Sequence, residues 1–462
     1  MSIPGLAVLY GGVMQKRWSI NSMMLSFAGF STVLIIWVLY SYKMGFGDSL
    51  TGHGTGFFHN FVGTPGSVLS PGQEQGQGIV PTSGTETGLP KSALVYFQFV
   101  FAGITPLLML GSVLGRISFK AWIPFVALWS TLIYTVDAFL LWGGGWLAQQ
   151  GAIDYSGGYV IHLSAGVSGF VLAAVIGPRL ARDREIDAPN NVAMVAVGAG
   201  LLWLGWNGFN GGDPYTANSS AGAAILNTNI CTAVAFMGWI ALDYLTKRKP
   251  SLLGGVNGII TGLVAITPAA GYVTGLGAIA IGVIAVVVVY FALNYLSRVP
   301  PFRNVDDTLG VIYTHGFAGL AGGVLTGVFA NSNMAIGYTE KISHNASDPV
   351  CNTAIGKVAA NTGHCTYTPH GTPSGLLQGS GHLLLWQCLA ALWVIIFSGA
   401  GTFVIAKLVN LVVPLRMTEE NMEIGDVAEH GHEVYPSDVP SLGYAPTPMP
   451  PRAPDTTPAR TV

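Results

Sequence analysis

Asp154–Arg179, DYSGGYVIHLSAGVSGFVLAAVIGPR, decides the fold. The segment is apolar, rich in glycine and alanine, and long enough to cross a hydrocarbon layer of about 30 Å. Inside it stands an imidazole, His162. A titratable group in such a place is costly and marks a functional path by default. The arrangement then recurs: Asp307 precedes His315 by eight residues, as Asp154 precedes His162. Ala165, Gly166 and Gly169 follow the first histidine at the offsets at which Ala318, Gly319 and Gly322 follow the second. One such histidine reads more readily as a core residue satisfied by backbone; two at repeat-related positions reverse that preference.

The composition agrees with a membrane protein. Half of the 462 residues are hydrophobic and 9% are charged, against about 25% charged in soluble domains. The net charge of −2 offers no basic field for nucleic acid. Most of the 62 glycines lie inside the apolar runs, where small residues let helices approach closely. Apolar runs long enough to span fall near 20–43, 92–114, 121–143, 157–178, 191–212, 220–245, 253–272, 275–297, 309–330 and 383–412. A half-length run, Met1 to Gly12, precedes them and reads as a truncated first helix. The expected class is therefore an all-α polytopic membrane protein of eleven helices, with residues 1–412 in the membrane and 413–462 as a tail. That tail is acidic first and then proline-rich, the composition of a disordered end.

Lysine and arginine orient the bundle. Lys16, Arg17, Arg116, Lys120, Arg179, Arg182, Arg184, Lys247, Arg248, Lys249, Arg298 and Arg303 fall in alternate loops, and the intervening loops hold Lys43, Lys91, Lys341 and Lys357. The positive-inside rule puts the richer set and the tail in the cytoplasm and the N-terminus outside. The histidine spans, fifth and tenth, then run in opposite directions. That predicts an inverted five-helix repeat with a shared site where its halves meet.

Two neutral imidazoles in a dry passage offer donors and acceptors without a fixed charge, able to receive a small polar molecule or to relay a proton. One can also bond the other. Asp154 and Asp307 lie about 12 Å back along a helix at 1.5 Å per residue, too far to share an ion with their own histidine, and read as caps on the helix starts. A histidine-bound metal would need further ligands, and no cluster at ligand spacing supplies them; neither metal nor cofactor is expected. Phe101, Trp142 and Phe209 lie in or near outer ends of spans, where an interfacial aromatic belt is the ordinary reading. Asp137, five residues before Trp142, is an intramembrane acid without an assigned role. Asn218 and Asn345 head glycosylation sequons in expected outer loops. Cys351 and Cys365 share the 331–382 loop and are disulfide candidates in an oxidising exterior. Cys231 and Cys388, inside spans, read as packing residues.

The central segment resembles the signature of the ammonium transporter (Amt/Mep/Rh) family, in its fungal methylammonium-permease branch. PGLAVLYGGVMQKRW, QFVFAGITPLL, WNGFNGGDPYTAN, KRKPSLLGGVNGIITGLVAITP and GVIYTHGFAGLAGG carry the resemblance, and LRMTEENMEIGD through HEVYP extends it to about Pro436. It implies a homotrimer of eleven-helix protomers in the plasma membrane, each with its own hydrophobic pore for ammonium or methylammonium. On the matching motifs, Phe101 and Phe209 fall on the gate phenylalanines and Trp142 on the tryptophan of the outer ammonium site. His162 and His315 fall on the twin histidines, Asp154 on the acid needed for transport, and Asp307 on its repeat-related partner. Asp213 stands where many prokaryotic relatives carry serine at the recruitment site. The implied activity is membrane transport, electrogenic if the proton follows along the histidines, with an electroneutral ammonia or carbon dioxide channel as the alternative. A sensor acting on cytosolic regulators through the tail is the third reading.

Overall fold

In lipid every backbone N–H and C=O must be paired within the protein, which leaves helices or closed barrels. This chain makes helices. The structure is a computed structural model that describes residues 2–52, 60–74, 90–185, 188–215, 217–334, 342–345, 356–358, 364–367 and 373–435. In chain order the long apolar helices are α1 (Ser2–Val13), α2 (Ser19–Ile36, continuing through a π turn at Trp37–Ser41 to Tyr42–Phe46) and α3 (Lys91–Leu110). Next is α4, which runs Phe119–Trp129, widens into a π turn at Ser130–Tyr134 and ends with Thr135–Leu141. Then come α5 (a π turn Gly158–Leu163 leading into Ser164–Ile176), α6 (Val192–Gly211), α7 (Ser219–Lys247), α8 (Leu252–Ile266) and α9 (Gly275–Asn294). The last two are α10 (a π turn Ile312–Phe317 leading into Ala318–Phe329) and α11 (Gly381–Val412). Among the described residues nine helical stretches are long and apolar enough to cross a membrane, and Ser2–Val13 and Leu252–Ile266 are shorter.

The expected eighth span, 253–272, is the one that differs. Its helix stops at Ile266, with Thr267 still helical in its dihedrals, because Pro268 has no N–H to continue the hydrogen-bond ladder. The irregular backbone that follows is not wasted: Thr267 O and Pro268 O accept from Ser156 N and Tyr155 N, at 3.1 and 3.2 Å. Non-helical backbone at this depth is tolerated because other protein backbone pairs with it.

α5 and α10 cross at the centre. Gly166 lies against Gly316, and Gly319 lies against Gly158 and Leu163. Moving three residues back on one helix moves three forward on the other, so the two run antiparallel, as the inverted repeat requires. A β-carbon at Gly166 or Gly319 would overlap the opposing backbone; only glycine permits this approach. α1 lies along α6, α7 pairs with α8 and α9, and α11 runs beside α5 and α10.

The loop between α10 and α11 adds a small sheet to an otherwise helical chain: β1 (Ile342–Asn345), β2 (Gly356–Val358) and β3 (His364–Tyr367), antiparallel in the order β1-β3-β2. Strands this short have no hydrophobic period to read. Asn345 ends β1 and Cys365 sits in β3 opposite His344, while Cys351 lies outside the described residues, and with it the disulfide expected there. Cys231 is buried and Cys388 faces outward.

Residues 413–435 fold back onto the end that carries the basic loops. Ser118 N donates to Leu415 O at 2.8 Å and Met417 N to Arg116 O at 2.9 Å. Arg17 donates to Met422 O and Glu423 O. Asp426 accepts from Ile20 N and Asn21 N at 2.9 and 2.8 Å, capping the start of α2. Beneath this, Arg179 grips the Asp306 carboxylate with its guanidinium at 2.8 Å and with its backbone N–H at 2.7 Å. Burial alone would raise the Asp306 carboxyl, but the Arg179 hydrogen bonds and the charges of Arg179 and Arg116 hold it below its ordinary value.

Candidate functional site: two facing histidines

Each histidine sits in a π turn at the head of its helix, His162 in Gly158–Leu163 and His315 in Ile312–Phe317. Single π turns inside α-helices concentrate at functional sites. The repeat extends to the backbone: Gly157 and Gly310, each five residues before its histidine, have φ of +108° and +67°, a conformation glycine adopts at no steric cost. Asp154 then takes the first-turn donors as expected of a cap. Its Oδ1 accepts from Gly157 N and Gly158 N at 3.1 and 2.6 Å, and its Oδ2 from Tyr159 N and Val160 N at 2.9 and 3.0 Å. Asp307 Oδ2 accepts from Ile312 N at 2.8 Å.

The two imidazoles face each other with ring centroids 5.6 Å apart and planes 46° apart. The direct bond between them that the sequence permits is not made. His315 Nδ1 pairs with Thr314 Oγ1 at 3.0 Å, whereas His162 is buried with neither ring nitrogen hydrogen-bonded. Buried polar atoms are nearly always satisfied, so the idle donor and acceptor mark His162 as the candidate contact residue.

The aromatic trio leads to that imidazole. Trp142 meets Phe101 edge-on at 5.9 Å, Phe101 meets Phe209 edge-on at 4.5 Å, and Phe209 lies parallel to His162 at 6.1 Å. From Trp142 to His315 the rings form one unbroken line. The Trp142 indole N–H donates to Asp154 O at 2.6 Å, which joins the mouth to the cap of the first histidine. Asp213 is buried just past α6 with Oδ2 unpaired. Nearby Ser156 donates to Phe209 O at 3.0 Å.

Sequence reasoning missed several members of this site. Trp206 stacks on His162 at 5.4 Å and 16° and is held by a bond from its N–H to Thr267 Oγ1. It stands one helical turn before Phe209, a spacing that would have found it. The buried Tyr134 hydroxyl has no hydrogen-bond partner and lies within electrostatic reach of Asp154, Asp213 and Tyr215. Gln98 donates to the Tyr215 hydroxyl at 2.6 Å beside the outer rings. Asn218, read as a sequon, caps α7 by accepting from Ala221 N at 3.0 Å. Among the described residues no group of three or more His, Cys, Asp or Glu is disposed to hold a metal ion.

Comparison with known proteins places this geometry. The model of the Ammonium Transporter Family matches residues 1–435. Ammonium transporter 3 member 2 of Oryza sativa subsp. japonica is 44% identical over 94% of this chain and 86% of its own length. Ammonium transporter 2 of Arabidopsis thaliana is 41% identical over 94% and 84%. In three dimensions the chain resembles Mep2 of Saccharomyces cerevisiae, with a TM-score of 0.69, 26% identity and coverage of 90% and 88%. Mep2 of Candida albicans shares the fold, with a TM-score of 0.72, 24% identity and coverage of 91% and 84%. The likeness to the fungal branch thus rests on the structural neighbours, while these sequence relatives are plant proteins. With the family model covering nearly all of the folded chain, the protein belongs to the ammonium transporter family.

Proposed function

We propose that this ammonium transporter takes up the ion at the aromatic mouth, removes its proton there and passes ammonia along a pore lined by His162 and His315. The observation that carries the reading is the line of rings from Trp142 to an imidazole with both nitrogens idle. The π faces of Trp142, Phe101 and Phe209 attract a cation, by about 0.5–2 kcal/mol growing with desolvation. The buried Asp213 carboxyl, with Oδ2 unpaired, offers that mouth a hydrogen-bonding oxygen. Potassium resembles ammonium in size but has no proton to surrender, so a passage that demands deprotonation rejects it. Ammonia, a donor and acceptor without charge, matches the idle nitrogens of His162. The proton follows along the histidine pair, which makes the cycle electrogenic. Asp154 and Asp307 hold the two helix starts in register for this.

The assembly proposed is a homotrimer in the plasma membrane, N-terminus outside and C-terminus in the cytoplasm, with one pore per protomer. The basic loops support the orientation. The tail, folded across them, supplies a surface for cytosolic regulators. The test is the current evoked by an ammonium pulse on proteoliposomes, with potassium as control. An ammonium-only current is expected. Ammonia passage without current from folded trimers would replace the electrogenic cycle by a neutral channel.

A further inference from the structure

Asp137 is buried in the last part of α4, and nothing in the pore reading uses it. Both its oxygens are taken by α11: Oδ1 accepts from Trp393 Nε1 at 3.2 Å and Oδ2 from Ser398 Oγ at 2.9 Å. Among the described residues no lysine or arginine forms an ion pair with it. An acid kept at this depth beside neutral donors needs a reason. The donors indicate one: the Trp393 indole N–H can only donate and needs an acceptor opposite it, and the second oxygen holds the Ser398 hydroxyl.

α11 grips the pore elements in several places. Thr402 Oγ1 accepts from Trp129 Nε1 at 2.9 Å, and Ser398 O accepts from Ser168 Oγ of α5 at 3.4 Å. Gln387 accepts from Ile153 N, beside Asp154, and donates to Gly323 O of α10, each at 2.9 Å. Helix α4 is thus held on α11 at two levels, Trp129 and Asp137, with the π turn Ser130–Tyr134 between them. One extra residue in a turn rotates all that follows by about 100°, the angle per residue of an α-helix. Trp142 follows as the residue that closes this helix. Its indole must reach Asp154 O and the edge of Phe101.

We propose that Asp137 is a positioning residue for Trp142: by binding Trp393 and Ser398 it fixes the rotation of α4 beyond its π turn and so aims the indole into the substrate mouth. The inference rests on the reading of Trp142 as part of the ammonium site. The test compares ammonium-evoked currents in proteoliposomes holding the full chain, wild type against Asp137→Ala, Thr402→Ala and Trp142→Ala. Thr402→Ala loosens the same helix pair on the far side of the π turn. The expectation for Asp137→Ala is an apparent KM about five- to tenfold higher or more with the maximal current retained, at least the size of one lost hydrogen bond, while Thr402→Ala keeps the wild-type KM. If Asp137→Ala does not fold, Ser398→Ala, which leaves the Asp137 side chain in place and removes one donor, is read for the same rise in KM. A wild-type KM in the Asp137 or Ser398 variant, with KM raised in Trp142→Ala, overturns the inference and leaves the site reading standing. An equal rise in Thr402→Ala overturns it as well, reducing Asp137 to one more helix contact. An unchanged KM in Trp142→Ala removes the site reading and the inference with it.

Discussion

Asp154 accepts four backbone N–H groups with two oxygens, and asparagine of the same shape would face two of those donors with an NH₂. Each buried donor left unpaired costs about 1–3 kcal/mol. Asp154→Asn is therefore expected to lower the melting temperature of the purified protein as well as transport, whereas His162→Ala should spare the fold. A wild-type melting temperature in Asp154→Asn would contradict the cap. The candidate residues were legible to different degrees. His162 and His315 could be found from composition and spacing, because a titratable side chain in an apolar run stands out. Phe101, Trp142 and Phe209 could not be told from an interfacial belt by position, since what sets them apart is ring-to-ring geometry. The idle nitrogens of His162 and the grip of α11 on Asp137 were illegible, because the partners of a side chain across a bundle leave no local pattern.

Helix α5 crosses α10 at Gly166 and Gly319, where a β-carbon would overlap the opposing backbone. Overpacking a filled interior costs about 1–3 kcal/mol and moves backbone. Gly166→Ala and Gly319→Ala should each destabilise the protein and reduce transport, because the displaced helices carry the two imidazoles. A melting curve and an uptake assay check this together; full uptake in Gly319→Ala would show that the crossing distance does not govern the pore. The antiparallel crossing itself was readable from charge and repeat alone. The early end of α8 was signalled by Pro268, but the use of that irregular backbone by Tyr155 and Ser156 is a contact between distant segments. The sheet β1-β3-β2 is too short to announce itself by periodicity.

At the scale of the whole molecule, the basic end is tied by the tail and by the Arg179–Asp306 pair. The folded-state value of Asp306 is depressed, so its contribution to stability is fully present above the unfolded value near 3.9 and is lost as pH falls through the folded one. Asp306→Asn should therefore lower the melting temperature at pH 7, by a difference that begins to shrink below about pH 4 and closes only once pH has fallen through the depressed folded-state value. A penalty independent of pH would assign the loss to packing instead of charge. The same end holds Arg116, fully buried, which donates to Gly177 O at 2.6 Å and Thr308 Oγ1 at 2.7 Å. It thus joins the end of α5 to the loop that leads into α10, with the tail paired to its own carbonyl.

The measurement that bears most directly on the pore is the ammonium and potassium response of proteoliposomes carrying wild type and the His162→Ala/His315→Ala double variant, reconstituted as folded protein at equal density. The account predicts an ammonium current without a potassium current in the wild type, and in the double variant either no current or a current that no longer distinguishes the two ions. An ammonium-selective current of wild-type size in the double variant would contradict it.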